Sequence, residues 1–164
     1  DIELAFKSGA DKVALNTSIV KDINFLKEAV SLFGSQAIIG SIVCRTHRYS
    51  WEIFINNAKH RVKINPFDWA RKLIDNGVGE IMVTSIDNDG LMNGYNISLL
   101  KQFDSIGGVP YIFCGGVGKN DHVVDLFNSS NCSAAAIGSA LHYNKISILK
   151  LKAELSKHNF KVRI

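Results

Sequence analysis

The segment Gly77-Val78-Gly79-Glu80-Ile81-Met82-Val83-Thr84-Ser85 decides the fold, because a short β-rich run follows two glycines and ends in hydroxyl side chains. An earlier segment, Gly9-Ala10-Asp11-Lys12-Val13-Ala14-Leu15-Asn16-Thr17, has a similar pattern. This internal similarity is typical of a barrel assembled from like units, each made of a strand and the helix that follows it.

Short β-rich runs recur along the chain, and apolar residues at helical spacing follow each of them. This alternation predicts an α/β fold with a parallel sheet. The predicted strands are Lys12 to Asn16, Ala37 to Val43, Glu80 to Ser85, Pro110 to Phe113 and Ala134 to Ile137. The predicted helices are Ile23 to Val30, a helix between Pro66 and Gly77, Ile97 to Phe103, His122 to Phe127 and Ile146 to Leu155.

The length of the chain limits how much of a barrel it can form. It has 164 residues, whereas a complete (β/α)8 barrel takes about 250 residues. The segment from Asp1 to Ser8 also resembles the middle of a helix, with no capping signal before it. We therefore expect residues 1–164 to form a single, incomplete (β/α)8 TIM-barrel domain that lacks the N-terminal strands.

The interval from Cys44 to Asn65 interrupts the alternation and predicts an inserted β-hairpin. Apolar and polar residues alternate from Tyr49 to Ile55 as in a strand, a turn follows, and Arg61 to Ile64 is the returning strand of the hairpin. Basic residues concentrate here, and they indicate either a solvated hairpin surface or a contact to an anionic substrate. The cluster lacks the aromatic residues that usually accompany nucleic-acid binding. Its members are Arg45, His47, Arg48, Lys59, His60, Arg61 and Lys63.

The composition is that of an ordinary soluble globular protein, with 46% hydrophobic and 21% charged residues. No apolar run approaches the length of a membrane span, and no signal peptide is visible. Cys44, Cys114 and Cys132 are scattered, so their spacing predicts neither a disulfide framework nor a metal site. We expect a cytoplasmic protein without a cofactor.

Polar and glycine residues follow the predicted strands, at the end where a barrel of this class builds its active site. Glycines let backbone N–H groups approach an anion closely. Gly115-Gly116 and Gly138-Ser139 therefore predict a phosphate site, although tight turns would give the same pattern. Asn16-Thr17 is either a second anion site or an ordinary helix cap at Thr17.

Asp89 lies just beyond the strand that ends at Ser85, and it is the best candidate for a general acid or base. Thr84 should point inward below it, because side chains alternate along a strand. An Asx turn at Asp87 or Asp89 is the structural alternative. The same alternation turns Lys12 and Glu80 toward the barrel axis at its amino end, where they form either a closing ion pair or a charged constriction in a conduit.

Several stretches of the chain resemble the cyclase subunit of imidazole glycerol phosphate synthase, the HisF family. The similarity covers nearly the whole chain, and the combination of SIDNDG with GGVGK is specific to that family. It implies that the chain runs from the fourth barrel strand to the eighth. The matching stretches are Gly9 to Val20, Phe33 to Ile39, Gly77 to Tyr95, Cys114 to His122 and Ile137 to His142.

The resemblance implies an enzyme of histidine biosynthesis. Such a lyase takes ammonia from a glutaminase partner in a heterodimer and uses it on a bisphosphorylated ribonucleotide to form imidazole glycerol phosphate. Lys12 and Glu80 match its ammonia gate, and Asp11 matches a contact to the glutaminase. The remaining positions match substrate-binding residues: Asn16 and Thr17 at one phosphate, the region of Asp89, Gly90, Gly116, Gly138 and Ser139 at the other, and Thr84 in the lining of the site.

One position departs from the family pattern. The family uses an aspartate on the fifth barrel strand to move protons, and Val43 stands at that position. An apolar side chain neither takes nor gives a proton. The alternative is a HisF-like protein that channels ammonia to amidate a surface-polysaccharide sugar without cyclase activity. A non-catalytic interaction module is a third hypothesis, and the related isomerase of histidine biosynthesis fits the motifs less well.

Overall fold

A computed structural model describes residues 1–163, which form a seven-stranded sheet with helices between its parallel strands. The strands are β1 (Val13–Leu15), β2 (Ile38–His47), β3 (Ser50–Ile55), β4 (His60–Val62), β5 (Glu80–Ser85), β6 (Tyr111–Cys114) and β7 (Ala134–Ala136). The helices are α1 (Ile2–Lys7), α2 (Thr17–Lys21), α3 (Ile23–Phe33), α4 (Pro66–Asp75), α5 (Ile97–Asp104), α6 (Asn120–Ser129), α7 (Ser139–His142) and α8 (Ile148–Lys157), with a 3-10 turn at Ser35–Ala37.

Strands β1, β2, β5, β6 and β7 are parallel and adjacent in that order. Helices lie between successive parallel strands, as in a (β/α)8 barrel, of which this arrangement is a part. The five predicted parallel strands and the alternation with helices are confirmed, and the strand ends move by a few residues at most except in β2.

The two faces of the parallel sheet differ in burial. Residues that point outward are buried beneath the helices; among them are Ile42, Val83 and Phe113. Residues that point the other way, such as Val43 and Thr84, are only half-buried. The half-buried face is the one that faces the axis in a barrel, and we call it the inner face.

Local sequence explains why helix α4 starts and stops where it does. Its N-cap, Asn65, accepts hydrogen bonds from the backbone N–H groups of Phe67 and Asp68 through its side chain. Pro66 occupies the first turn, as predicted. Gly77 follows the helix with a φ of 89°, a conformation that glycine adopts at little cost.

The predicted hairpin exists, but it is not separate from the sheet. Strand β2 continues past Val43 to His47, and β3 pairs with this extension in antiparallel fashion from Val43↔Phe54 to His47↔Ser50. Strand β4 then pairs with β3. The expectation that the second strand ends at Val43 is therefore wrong, and β2, β3 and β4 form an antiparallel extension above the carboxyl end of the parallel sheet.

Candidate functional site

An ion pair lies on the inner face at the amino end of the sheet. Lys12 Nζ is 2.9 Å from Glu80 Oε2, and the two side chains are 41% and 14% exposed. They come from β5 and from the residue before β1, on either side of β2. The predicted inward direction of both residues is confirmed by this contact. Asp11, the predicted partner contact, is exposed beside Lys12.

A row of four side chains crosses the inner face at the carboxyl end. The strand register aligns Val43 with Thr84, Thr84 with Cys114, and Cys114 with Ala136. Thr84 is the hydroxyl member of this row, and Val43 beside it supplies only methyl groups. Since each residue of a strand advances about 3.3 Å, this row lies about 13 Å from Glu80.

Asp89 lies close to this row. It is exposed on the loop after β5, and its backbone N–H donates to the Ser85 carbonyl at 3.0 Å. Burial raises the pKa of the Cys114 thiol, and the charge of Asp89 raises it further, while a hydrogen bond with Thr84 lowers it. Asp89 and Thr84 are therefore both close enough to the Cys114 thiol to change its pKa, and the thiol stays protonated at neutral pH.

The glycines at the end of β6 are needed for close packing of the loop after β5. Gly94 N–H donates to the Gly116 carbonyl at 2.7 Å. A Cβ on Gly116 would lie 2.0 Å from the Gly94 carbonyl oxygen, and one on Gly115 would lie 2.8 Å from that of Ser85. Both glycines also have positive φ angles, of 99° and 110°. This packing explains them without a bound anion.

The turn after β7 is different, because it is open. A Cβ on Gly138 would meet no atom within 4 Å, and the same holds for Gly90 on the β5 loop. Gly138 has a φ of −116°, which any residue adopts, and it precedes Ser139, the first residue of α7. Space for a ligand group therefore exists at Gly138-Ser139 and at Gly90, whereas Gly115-Gly116 is covered.

Asn16 and Thr17 hold the antiparallel extension in place. The Asn16 amide donates to the Ser41 carbonyl at 3.0 Å and to the Phe54 carbonyl at 3.4 Å. The Thr17 hydroxyl accepts from the Asn56 N–H at 2.9 Å. The alternative prediction that Thr17 caps helix α2 is wrong. Asn16 is the N-cap residue, and its side chain makes no capping hydrogen bond. The predicted anion-binding groups are thus already engaged with β3 and its turn.

Asp87 joins the β5 loop to the extension of β2. Its carboxylate accepts from the Thr46 N–H at 2.8 Å and from Arg45 Nε at 3.0 Å. This role was not predicted, because it depends on residues about forty positions apart in the chain. The Asp87 carboxylate therefore does not form the Asx turn that was the structural alternative. Within residues 1–163, no group of three or more His, Cys, Asp or Glu side chains could hold a metal ion.

Comparison with known proteins identifies the family. A family model described as histidine biosynthesis protein matches residues 1–147. The HisF subunit of imidazole glycerol phosphate synthase from Methanococcus vannielii is 33% identical over 185 residues, which cover 100% of this chain and 68% of that protein. The chain belongs to the HisF family.

Other HisF subunits match equally well. The one from Campylobacter concisus is 37% identical over 166 residues, covering 100% of this chain and 64% of its own length. The one from Prochlorococcus marinus is 34% identical over 160 residues, covering 96% and 62%. The chain thus spans about two thirds of the length of these HisF relatives. None of the helices in the described part of this HisF-family chain is long and apolar enough to cross a membrane.

Proposed function

We propose that this HisF-family chain is part of the cyclase subunit of an imidazole glycerol phosphate synthase, an enzyme of histidine biosynthesis. In this proposal a glutaminase partner docks at the amino end of the sheet, near Asp11. The ammonia it releases passes the Lys12–Glu80 pair and reaches a bisphosphorylated ribonucleotide at the carboxyl end. The observation that carries the proposal is the Lys12–Glu80 contact of 2.9 Å on the inner face.

The ion pair suits a gate because its two side chains are in contact but are not deeply buried. Lys12 is 41% exposed, so the pair is held by a modest free energy, about 0–1 kcal/mol for an exposed pair. Such a contact opens without a large cost and closes again. Ammonia is small and neutral, and it therefore passes a charged constriction that repels or retains ions.

The carboxyl end supplies the groups for binding and proton transfer. Asp89 is the carboxylate next to the Thr84–Cys114 row, and we propose it as the general acid or base, with Thr84 orienting the substrate. The open turns at Gly138-Ser139 and Gly90 leave room for a phosphate. Gly115 and Gly116 support this site by placing the β5 loop, and Asn16 and Thr17 by holding the antiparallel extension.

The test is turnover of the bisphosphorylated ribonucleotide, driven by ammonium salt in one assay and by glutamine plus the glutaminase partner in the other. We expect turnover in both. Glu80→Gln should lower the glutamine-driven rate more than the ammonium-driven rate, since only the first requires the gate. Glu28→Gln, on the outer helix α3, is the matched control. Equal effects of Glu80→Gln on both rates would remove the gate from the mechanism.

Val43 favours a second candidate function. Its side chain is aligned with Thr84 in the row where the family pattern has an aspartate. Without that carboxylate, ammonia could still be channelled to a different acceptor, and the HisF-like proteins that amidate surface-polysaccharide sugars provide such a reaction. Turnover of the bisphosphorylated ribonucleotide by the wild-type chain rules out this candidate. If the chain is inactive and Val43→Asp gains activity, the missing carboxylate is the reason.

A further inference from the structure

The antiparallel extension has one apolar face and one charged face. Ile53 and Ile55 are buried on the outer side, against the layer of helices. On the other side, the register aligns Arg45 with Glu52, and Val43 with Phe54 and then Arg61. Because Val43 lies on the inner face beside Thr84, the residues that share its side of the strands face the mouth of the site.

This charged face consists of Arg45, His47, Glu52 and Arg61. Arg61 Nε lies 3.3 Å from Glu52 Oε2, and its Nη1 contacts His47 Nε2. Arg45 Nε lies 3.0 Å from Asp87 Oδ1. Asp87 therefore fixes the direction of Arg45 through a hydrogen bond, while His47 and the ion-pair contact with Glu52 position Arg61. A charged side chain held in this way loses less conformational entropy when it binds a ligand.

Both arginines keep unused hydrogen-bond donors. Within residues 1–163, Arg45 makes its contact through Nε, and Arg61 makes its contacts through Nε and Nη1. Both Nη groups of Arg45 and Nη2 of Arg61 make no hydrogen bond to the protein there. The two side chains are 51% and 36% exposed, so a ligand can reach these donors. A guanidinium group with free donors matches the geometry of a phosphate.

The extension also engages the groups that were predicted to bind an anion on this side of the sheet. The Asn16 amide donates to the carbonyls of Ser41 and Phe54, and the Thr17 hydroxyl accepts from Asn56. An anion that enters at the end of β1 and β2 therefore finds the side chains of Asn16 and Thr17 occupied. Arg45, two residues beyond Val43 on the same side of β2, supplies a cationic group at this end of the sheet.

We propose that the charged face, through Arg45 and Arg61, binds a phosphate group of the substrate and so determines which substrates the site accepts. The inference rests on the proposed function in that both use the carboxyl end of the sheet. It goes further in assigning recognition of one of the two phosphates to β2 and β4, in addition to the strand-end turns. His47, Glu52 and Asp87 are positioning residues, because they hold the two guanidinium groups.

The experiment is isothermal titration of the 164-residue chain with inorganic pyrophosphate at low ionic strength. Arg45→Gln and Arg61→Gln should each weaken binding by about tenfold or more, as expected for a lost charge-assisted hydrogen bond. The affinity of Arg61→Lys for pyrophosphate should lie between those of the wild type and Arg61→Gln, since lysine keeps the charge and loses the planar guanidinium group. Arg71→Gln on α4 is the control, because Arg71 pairs with Asp68 on the outer layer at 2.9 Å. Unchanged affinity in both Gln variants overturns the inference.

Two further measurements separate this inference from the proposed function and from misfolding. Urea unfolding of each variant shows whether the antiparallel extension has kept its stability. In the turnover assay, the Arg variants should raise KM for the phosphorylated substrate more than they lower kcat. Pyrophosphate binding through the arginines without turnover would contradict the proposed function alone. Turnover with an unchanged KM in the Arg variants would contradict phosphate binding by the charged face and leave the proposed function intact.

Discussion

At the scale of single residues, the glycines at the strand ends have two different origins. Gly115 and Gly116 have positive φ angles, and Gly94 and Ser85 approach them so closely that a Cβ does not fit. Gly138 has an ordinary φ and open space around it. The sequence predicts either an anion site or tight turns for all of them. The geometry shows a packing requirement at Gly115 and Gly116 and open space at Gly138.

Gly116→Ala should therefore destabilise the fold strongly, and Gly138→Ala should leave its stability nearly unchanged. A Cβ on Gly116 would lie 2.0 Å from a backbone oxygen, at a φ of 110°. We expect a loss of about 2–4 kcal/mol in the free energy of unfolding, from backbone strain and displacement of the β5 loop. Gly138→Ala should change it by about 0.5 kcal/mol or less.

Urea denaturation measures both changes, and pyrophosphate titration adds the functional comparison. If Gly138 borders a phosphate, Gly138→Ala should weaken binding while leaving the fold intact. A small stability change in Gly116→Ala would mean that the β5 loop moves away from β6 easily, contrary to the contact between Gly94 and Gly116.

At the scale of elements, the antiparallel extension depends on anchors at both of its ends. Asp87 binds the backbone of Thr46 in β2, and Thr17 binds the backbone of Asn56 after β3. Asp87 lies in the loop after β5, and Thr17 is the first residue of α2, just after β1. The extension is therefore fixed to the barrel by side-chain acceptors in addition to its own ladder of hydrogen bonds.

Asp87→Ala should lower the free energy of unfolding by about 1–2 kcal/mol, because it removes the acceptor for the Thr46 N–H and for Arg45. It should also bring the pKa of Cys44 down, since the charge of Asp87 helps to raise it. Urea denaturation and thiol titration measure the two effects. Asp75→Ala, at the exposed end of α4, is the control. A variant as stable as the wild type would mean that Asp87 is no anchor.

Thr17→Val should weaken only the turn after β3, where the Asn56 N–H donates to the Thr17 hydroxyl. The substitution keeps the shape of the side chain and removes the acceptor that lies 2.9 Å from the Asn56 N–H. We expect faster hydrogen exchange at Asn56, corresponding to about 1 kcal/mol, with little change in the exchange of the buried strand β5. Thr46→Val is a suitable control, since the Thr46 hydroxyl makes no hydrogen bond within residues 1–163. Equal exchange at Asn56 in the wild type and Thr17→Val would show that the bond does not hold the turn.

The sequence predicted the parallel strands well because burial gives them a clear pattern. Glu80–Ser85 was predicted with its observed bounds, and the inward direction of Lys12 and Glu80 followed from alternation alone. The extension of β2 from Cys44 to His47 was not predicted. Its polar residues carry no hydrophobic signal, and the partners that order it, β3 and Asp87, lie elsewhere in the chain. Contacts of this kind are tertiary, so a local pattern does not contain them.

At the scale of the whole molecule, buried thiols link stability to pH. Burial raises the pKa of Cys44 from its ordinary value of 9.0 to about 12, and Asp87 adds to the effect. Burial likewise raises the pKa of Cys132, to about 11. Both thiols are free and buried. The folded state therefore holds their protons more tightly than the unfolded chain does.

This difference fixes the sign of the pH dependence. Above pH 9 the unfolded chain loses the Cys44 proton while the folded chain keeps it, so stability is complete below pH 9 and declines from there toward pH 12. At pH 10 the loss from Cys44 is about 1 kcal/mol. Urea denaturation at pH 8 and pH 10 should show this decline, with Cys132 adding in the same direction. Cys44→Ala should be less stable at pH 8, because of the cavity, and should lose less between the two pH values. A decline as steep in Cys44→Ala as in the wild type would mean that the Cys44 thiol reaches solvent in the folded chain, and that the outer face of β2 is not sealed by its helices.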